Sequence, residues 1–472
     1  MSELAEQSTL YQKRIPIYPR TVKGRFRNLK YVALALAYGV YFLLPWVRWE
    51  RPNVPNQAVL FDIPNRHFYV FDLAIEAQDM IWLGGLLVIA AMLLFFVTGI
   101  AGRVFCGYFC FQTLWTDVFI LIERFVQGER PARIRLGAAP WNGEKVLKMT
   151  ATWGLWLLTA FWTGLTFVLY WGDAPSLIGQ FFIGQAPFSA YATTLFLTAT
   201  TFVMAGLARE QVCTYMCPYA RFQSAMFDKD TLIVAYDERR GEGAKGREKL
   251  TRELKQREER QAAGFGDCID CGYCVQVCPV GIDIRNGLQL QCISCALCID
   301  ACDNIMDQLH WPRGLINYTS ENTQNGKESR ILKPKVLGYG VVLCAAIAAL
   351  IWSISTQAPY TATVEQIRQP LFVTLSDGRI QNTYEIKFNN KVLEPAAFQI
   401  SLDKLAGAEL YLEGLDDTVA LEPQQRLRIV ARVRVPPQAE GENQRHFDFV
   451  ITPLHGADLE PVRQTTLFYS PD

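Results

Sequence analysis

At 472 residues the chain has room for two or three folded units, and half its residues are hydrophobic, with 11 Trp, 19 Tyr and 28 Phe beside a 19% charged fraction. That balance points to membrane segments next to polar domains, while a formal net charge of zero singles out no partner. Twelve of the 13 cysteines lie between Cys106 and Cys302, and the last, Cys344, sits in an apolar run, which excludes a disulfide staple from everything after it.

Residues 1–30 read as a basic arm carrying Lys13, Arg14, Arg20, Lys23, Arg25, Arg27 and Lys30. No small-residue cleavage site follows the first apolar run, so the run is expected to stay as a signal anchor. Five runs are long enough, or nearly so, to cross a bilayer as helices: 31–47, 80–101, 149–171, 188–208 and 336–355. None contains Asp, Glu, Lys, Arg or His, whereas core helices of a soluble protein ordinarily keep a polar stripe. The first is short and carries Pro45 near its end.

Basic residues set the expected orientation. The loop after the second run carries Arg103, Arg124, Arg130, Arg133, Arg135, Lys145 and Lys148; residues 172–187 have no Lys or Arg, and 48–79 have only Arg48, Arg51 and Arg66. The N-terminus is therefore expected in the cytoplasm, and five crossings leave the C-terminal segment outside.

The four-helix membrane region, 31–236, ends two of its spans in a short repeat. One copy holds Cys106 and Cys110 in CGYFC, the other Cys213 and Cys217 in CTYMCP. If the helix continues, cysteines at i and i+4 share one face. Four such thiolates suit copper(I), zinc or another iron–sulfur centre, or a pair could cycle between dithiol and disulfide. A lone cysteine would be read as packing; four in a repeated pattern are read as functional. Met216 offers a thioether, although methionine near a membrane more often packs.

Residues 237–263 form a highly charged linker, DERRGEGAKGREKLTRELKQREERQ and its flank, with mixed signs and almost no aromatics. It is expected as a solvated helical connector, not a nucleic-acid patch. Residues 264–335 then hold Cys268, Cys271, Cys274 and Cys278, followed by Cys292, Cys295, Cys298 and Cys302. C-x2-C-x2-C-x3-C twice is the spacing of two cubane [4Fe-4S] clusters, each taking three cysteines of one quartet and the fourth of the other. This assigns Cys268, Cys271, Cys274 and Cys302 to one cluster and Cys292, Cys295, Cys298 and Cys278 to the second. Zinc ribbons pair C-x2-C units across a longer gap, and disulfides need an oxidising compartment. The stretch resembles a bacterial dicluster ferredoxin, with Asp303 in place of the proline that follows Cys278 as Pro279.

After the fifth span, 336–357, residues 358–472 change to alternating apolar and polar residues. LFVTLSDGRIQNTYEIKFNN reads as a hairpin turning at Ser376, Asp377 and Gly378, and RLRIVARVRV and HFDFVITPL as further strands. The expected fold class is thus a five-helix membrane protein with an inserted dicluster ferredoxin-like domain and a C-terminal immunoglobulin-like β-sandwich. His67, His310, His446 and His455 all lie outside the spans, so bis-histidine haem has no ligands within them.

Taken together, CGYFC, CTYMCP, the two quartets and RQPLFVTLSDGRIQNTYEIKFNN resemble the membrane-bound accessory proteins of cbb(3)-type cytochrome c oxidase known as CcoG, FixG or RdxA. The resemblance implies a bacterial inner-membrane protein with cytoplasmic clusters and a periplasmic C-terminal domain. It implies reduction of Cu(II) to Cu(I) for the oxidase copper centre, with oxidase subunits or copper chaperones as partners. Cys106, Cys110, Cys213 and Cys217 are the expected copper-handling residues. The membrane cysteine pattern is also similar to NapH- and NosR-type proteins, which pass quinol electrons onward, and a non-enzymatic assembly scaffold is a third reading. No dinucleotide-binding fingerprint identifies an electron donor.

Overall fold

The computed structural model describes residues 16–50, 55–64, 66–75, 79–251, 254, 256–356, 358–391, 395–414, 418–422, 425–436, 443–454 and 461–471. Lys13, Arg14, Arg51 and His455 lie outside the described residues. The chain forms two compact units: residues 1–47, 59–64 and 77–350, and residues 48–58, 65–76 and 351–472.

The chain begins with α1 (Arg25–Leu43), which a 3-10 turn at Leu44–Trp46 ends where Pro45 enters. Strands β1 (Val59–Asp62), β2 (His67–Val70) and β3 (Leu73–Ile75) precede α2 (Met80–Ala101). Next come α3 (Val104–Tyr108), α4 (Phe111–Gln127), α5 (Arg130–Ala138), α6 (Gly143–Leu169), α7 (Ala174–Phe182) and α8 (Phe188–Thr201). Asn142 starts α6 by accepting the Lys145 N–H at 2.8 Å, as an N-cap should. The α8 helix runs on through a π-helical stretch, Phe202–Ala208, and a second π turn spans Val212–Met216.

Among the described residues six helices are long and apolar enough to cross a membrane, against the five expected. The addition is Val104–Gln127, which holds Asp117, Glu123 and Arg124. Asp117 is paired with Arg27 and Lys30, and Glu123 with Arg133 and Arg209, so charge is neutralised along its length. Phe119 stacks on Trp156 of α6 with ring centroids 5.3 Å apart. On another side, Thr113, Asp117 and Ile120 share small cavities with Pro279, Val280 and Ile293 of the cysteine-rich loops. The end of α2 accepts the Leu232 N–H just before residue 233, and Arg133 of α5 donates to Pro19 beside Arg20, whose N–H bonds Gln276 of the cysteine-rich region. Helix α4 therefore also packs against the cluster domain.

The polar part of this unit continues with α9 (Pro218–Met226), β4 (Ile233–Tyr236), α10 (Glu238–Gly241), α11 (Arg257–Ala262), α12 (Tyr273–Val277), α13 (Leu297–Leu309), β5 (Ile316–Thr319) and α14 (Glu321–Gln324). Strands β4 and β5 pair antiparallel, so the domain closes from residue 233 onward, earlier than the expected 264. The charged linker is not a free helix. Arg240 and Arg257 both bond the buried Asp267, and Arg260, 1% exposed, donates to the carbonyls of Gly266 and Cys268. Those contacts explain the charge density: the arginines pin backbone that encloses the first quartet. Helix α15 (Pro334–Ser355) leads out of the unit.

The second unit carries β6 (Tyr360–Gln366), β7 (Val373–Thr374), β8 (Ile380–Asn390), β9 (Ala396–Asp403), β10 (Glu409–Leu412), β11 (Thr418–Leu421), β12 (Arg426–Val435), β13 (Gln444–Pro453) and β14 (Val462–Tyr469). One sheet runs β10-β12-β8-β6, with β7 on β8, and the other β11-β9-β13-β14. Every second side chain of β8 is buried, the period that two facing sheets require, and Tyr384, Ile386, Phe398, Phe447 and Phe449 fill the space between them. The hairpin turns at Gly378, whose φ of 80° suits glycine.

Candidate metal and electron-transfer site

The two quartets fold as a structural repeat. Asp270 and Gly272 in the first, and Ser294 and Ala296 in the second, have φ of 44°, 64°, 53° and 58°. Left-handed residues placed between right-handed ones turn successive N–H groups to one side, forming a concave nest for negative charge. The amides of Val280 and Ile282 accordingly point at the Cys278 sulfur, that of Ser294 at Cys292 and that of Leu297 at Cys295.

Two cavities lie within these loops. One, of about 370 Å³, is lined by Cys268, Cys271, Cys274 and Cys302, with Ile305, Met306 and Leu315 among its apolar walls. The other, of about 380 Å³, is lined by Cys278, Cys292, Cys295 and Cys298 with Val280, Ile282 and Ile284, and Cys274 touches it too. Each set takes three cysteines from one quartet and its fourth from the other. Burial pushes the free thiols of Cys274 and Cys278 up to about 12 and that of Cys292 to about 11. A thiolate is thus stable here only beside positive charge, such as iron supplies, together with the inward amides. Among the described residues no three His, Cys, Asp or Glu side chains close around a single ion. A zinc site would draw its thiolates to within about 4 Å of one another, so apolar chambers with four spread sulfurs fit a cubane better. Asp303, the departure from the ferredoxin pattern, accepts the Gly314 N–H at 3.0 Å and so fixes the turn into β5.

The membrane-edge cysteines are brought together, but not by a continuous helix. Cys106 lies in α3, while Cys110 is extended and precedes α4; Cys213 lies in the second π turn, while Cys217 is extended and precedes α9. The i, i+4 helical face expected from the sequence is therefore broken in both copies, because each second cysteine caps a new helix. Burial pushes the Cys213 thiol up to about 12, and Cys110, Cys106 and Cys217 push the same way, although among the described residues no three of these thiols close around a single ion. The Cys106 thiol donates to Gln223 Oε1 at 3.2 Å, the same oxygen that Arg103 Nε bonds. Met216 is 59% exposed and packs little.

Helix α3 sits directly on the second quartet. A Cβ at Gly107 would stand 2.8 Å from the Ile293 carbonyl oxygen and 3.0 Å from the Cys295 Cα, so only glycine permits this approach. Tyr108 donates to the Cys295 carbonyl at 3.1 Å, and Arg103 to that of Leu290. Nothing in the sequence marked Gly107 beyond its place in CGYFC; the equivalent position in the other copy is Thr214.

A further clamp was not legible at all. The carboxylate of Asp300, between Cys298 and Cys302, accepts the N–H groups of Phe26 at 3.3 Å and Arg27 at 2.8 Å, closing the open start of α1. Gly24 makes room, since a Cβ there would stand 2.2 Å from the Asp300 carboxyl carbon. Arg27 and Lys30, expected as solvated flanking charges, are buried against Asp117. His310 caps the end of α13 on the surface, and His67 and His446 lie in strands, none in a membrane helix.

Comparison with known proteins agrees with this architecture. Residues 208–321 match the 4Fe-4S dicluster domain family, and residues 350–471 match the family described as the IG-like fold at the C-terminal of FixG. The chain is 45% identical over 452 residues to protein RdxB of Cereibacter sphaeroides, covering 93% of each chain. It is 42% identical over 415 residues to protein RdxA of the same organism, covering 86% of each. It is 38% identical over 482 residues to the nitrogen fixation protein FixG of Rhizobium meliloti, covering 93% of this chain and 90% of that one. With its apolar helices, dicluster domain and Ig-like domain, the chain belongs to the FixG/RdxA family of membrane iron–sulfur electron-transfer proteins.

Proposed function

We propose that this protein is a cupric reductase serving assembly of cbb(3)-type cytochrome oxidase. The residues that hold the two [4Fe-4S] clusters are Cys268, Cys271, Cys274 and Cys302 for the outer one and Cys278, Cys292, Cys295 and Cys298 for the inner one. Bound there, the clusters supply one-electron chemistry, the stoichiometry that Cu(II) to Cu(I) requires. Copper is the substrate, taken by Cys106, Cys110, Cys213 and Cys217, whose soft sulfurs favour the cuprous ion. The carrying observation is the seating of α3 on the inner quartet, with Gly107 against Cys295, which leaves Cys106 one short helix away from the cluster ligands. Gln223 and Arg103 hold the Cys106 sulfur in place.

In this reading the clusters face the bacterial cytoplasm and the β-sandwich the periplasm, with five crossings and α4 held on the cluster side. The sandwich is the surface for oxidase subunits or a copper chaperone. Replacing all four membrane-edge cysteines by serine and following Cu(II) reduction by dithionite-reduced protein, with a cuprous chelator as readout, tests the assignment. Loss of reduction with iron content unchanged supports it; undiminished reduction removes copper from these thiols and leaves a quinol-linked relay of the NapH or NosR kind.

A further inference from the structure

One cavity in the membrane-helix region has no part in the site described above. It holds about 220 Å³ and lies between α1, α4, α6 and α8 with its π-helical extension. Its aromatic and apolar lining includes Tyr41, Trp115 and Met204. Phe111 and Phe167 at its edge are 69% and 41% exposed, so the cavity opens onto the surface that lipid would cover.

Its wall is not wholly apolar. Gln112, Thr163, Thr200 and Thr201 line it, and Trp115 Nε1 donates to Thr163 Oγ1 at 3.0 Å. The Gln112 amide nitrogen is committed to the carbonyls of Met204 at 2.8 Å and Arg209 at 3.2 Å. Among the described residues, neither Gln112 Oε1 nor the Thr201 hydroxyl makes a hydrogen bond. An acyl chain needs no such groups. A planar, lipid-soluble molecule with a hydrogen-bonding rim meets both halves of the lining.

The position adds the chemistry. Gln112 stands two residues after Cys110 and also lines the small cavity that contains Cys213 and Ile293 of the inner quartet. One side chain thus separates the lipid-facing pocket from the thiol and cluster region. The π-helical wall, a local widening of the kind frequent at functional sites, leads from Met204 towards Cys213.

We propose that this pocket binds the head group of a quinol, which is the electron donor; the inference rests on the cluster reading above. Oxidation of the hydroquinone to the quinone breaks two O–H bonds, sends two protons to water and releases two electrons, for which clusters held by the two quartets would supply one-electron acceptors. Two Cu(II) ions then take them singly. The paired cavities sharing Cys274 are what a two-electron donor and a one-electron acceptor require between them.

The test uses the full chain purified anaerobically in detergent, with duroquinol as reductant and loss of iron–sulfur absorbance, confirmed by EPR, as readout. Thr201→Phe fills the pocket and Leu197→Trp narrows its mouth. Both should slow reduction by duroquinol about tenfold or more while dithionite still reduces the clusters fully. Separately, an azidoquinone photolabel on the wild type should attach within 111–115 or 197–205 and be displaced by duroquinone but not by phospholipid. Wild-type clusters that dithionite reduces and duroquinol does not, variants as fast as wild type, or label displaced by phospholipid or attached elsewhere would each overturn the proposal. Protein without iron–sulfur absorbance would instead sink the cluster reading, and labelling would still judge the pocket.

Discussion

The outer and inner quartets have the same spacing and the same left-handed turns, yet different surroundings. The outer one has an exposed member, Cys271, and is walled by side chains of its own domain, among them Tyr236, Ile305, Met306 and Ile316. The inner one is pressed against α3, with Cys295 buried and the Arg27–Asp117–Lys30 group acting electrostatically on it. The same ligand spacing therefore sits in two settings: the outer chamber within its own domain, the inner one against α3.

The strongest way to break that contrast is Gly107→Val. Its side chain has no room against Ile293 and Cys295, so the inner cluster should be lost while the outer persists, and iron content should fall by about half. Thr214→Val, at the matching place of the other copy, should leave iron unchanged. Iron and sulfide analysis with EPR distinguishes the two outcomes.

Removing the iron sharpens the difference next. In the stripped protein, Cys274 and Cys278, held up to about 12, remain neutral thiols at pH 8, because a thiol ionises only as pH rises through its pKa. Alkylation mapped by mass spectrometry should find exposed Cys271 modified well before Cys274 or Cys278. Equal rates would mean that the chambers open once emptied.

Asp300→Ala tests the junction itself. It orphans the N–H groups of Phe26 and Arg27 at the start of α1 and should cost about 1–3 kcal/mol, seen as a lower melting temperature in detergent. Restoration by Asn, which keeps an acceptor, should be partial.

The smallest expected effect compares the two turns. Gly272→Ala puts a side chain at φ 64° with its nearest neighbour 4.0 Å away, so backbone strain alone should cost about 1 kcal/mol. Ala296→Gly at the matching turn relieves strain but removes a buried methyl, and should change stability by less than about 1 kcal/mol. Chemical denaturation of the two variants measures both.

What could be read from the sequence was what short spacing encodes. Cysteine intervals, strand alternation in β8 and β12 and uncharged runs such as α2 are local, and the structure has them where the pattern placed them. Contacts between distant segments could not be read. The cationic partners of Asp117, Arg27 and Lys30, lie in another helix, far away in the chain. The linker looked solvated because Asp267, which Arg240 and Arg257 hold, carries no local mark. The cysteine pairs kept their proximity but not the assumed helix, since the residue that begins the next helix is the second cysteine itself.

The clamp on α1 has a bearing on biogenesis. Arg27 finds its cap on a residue 273 positions later, so the ribosome has threaded α1 into the bilayer long before that carboxylate exists. Final seating of the first span must therefore await synthesis and folding of the segment that carries Asp300.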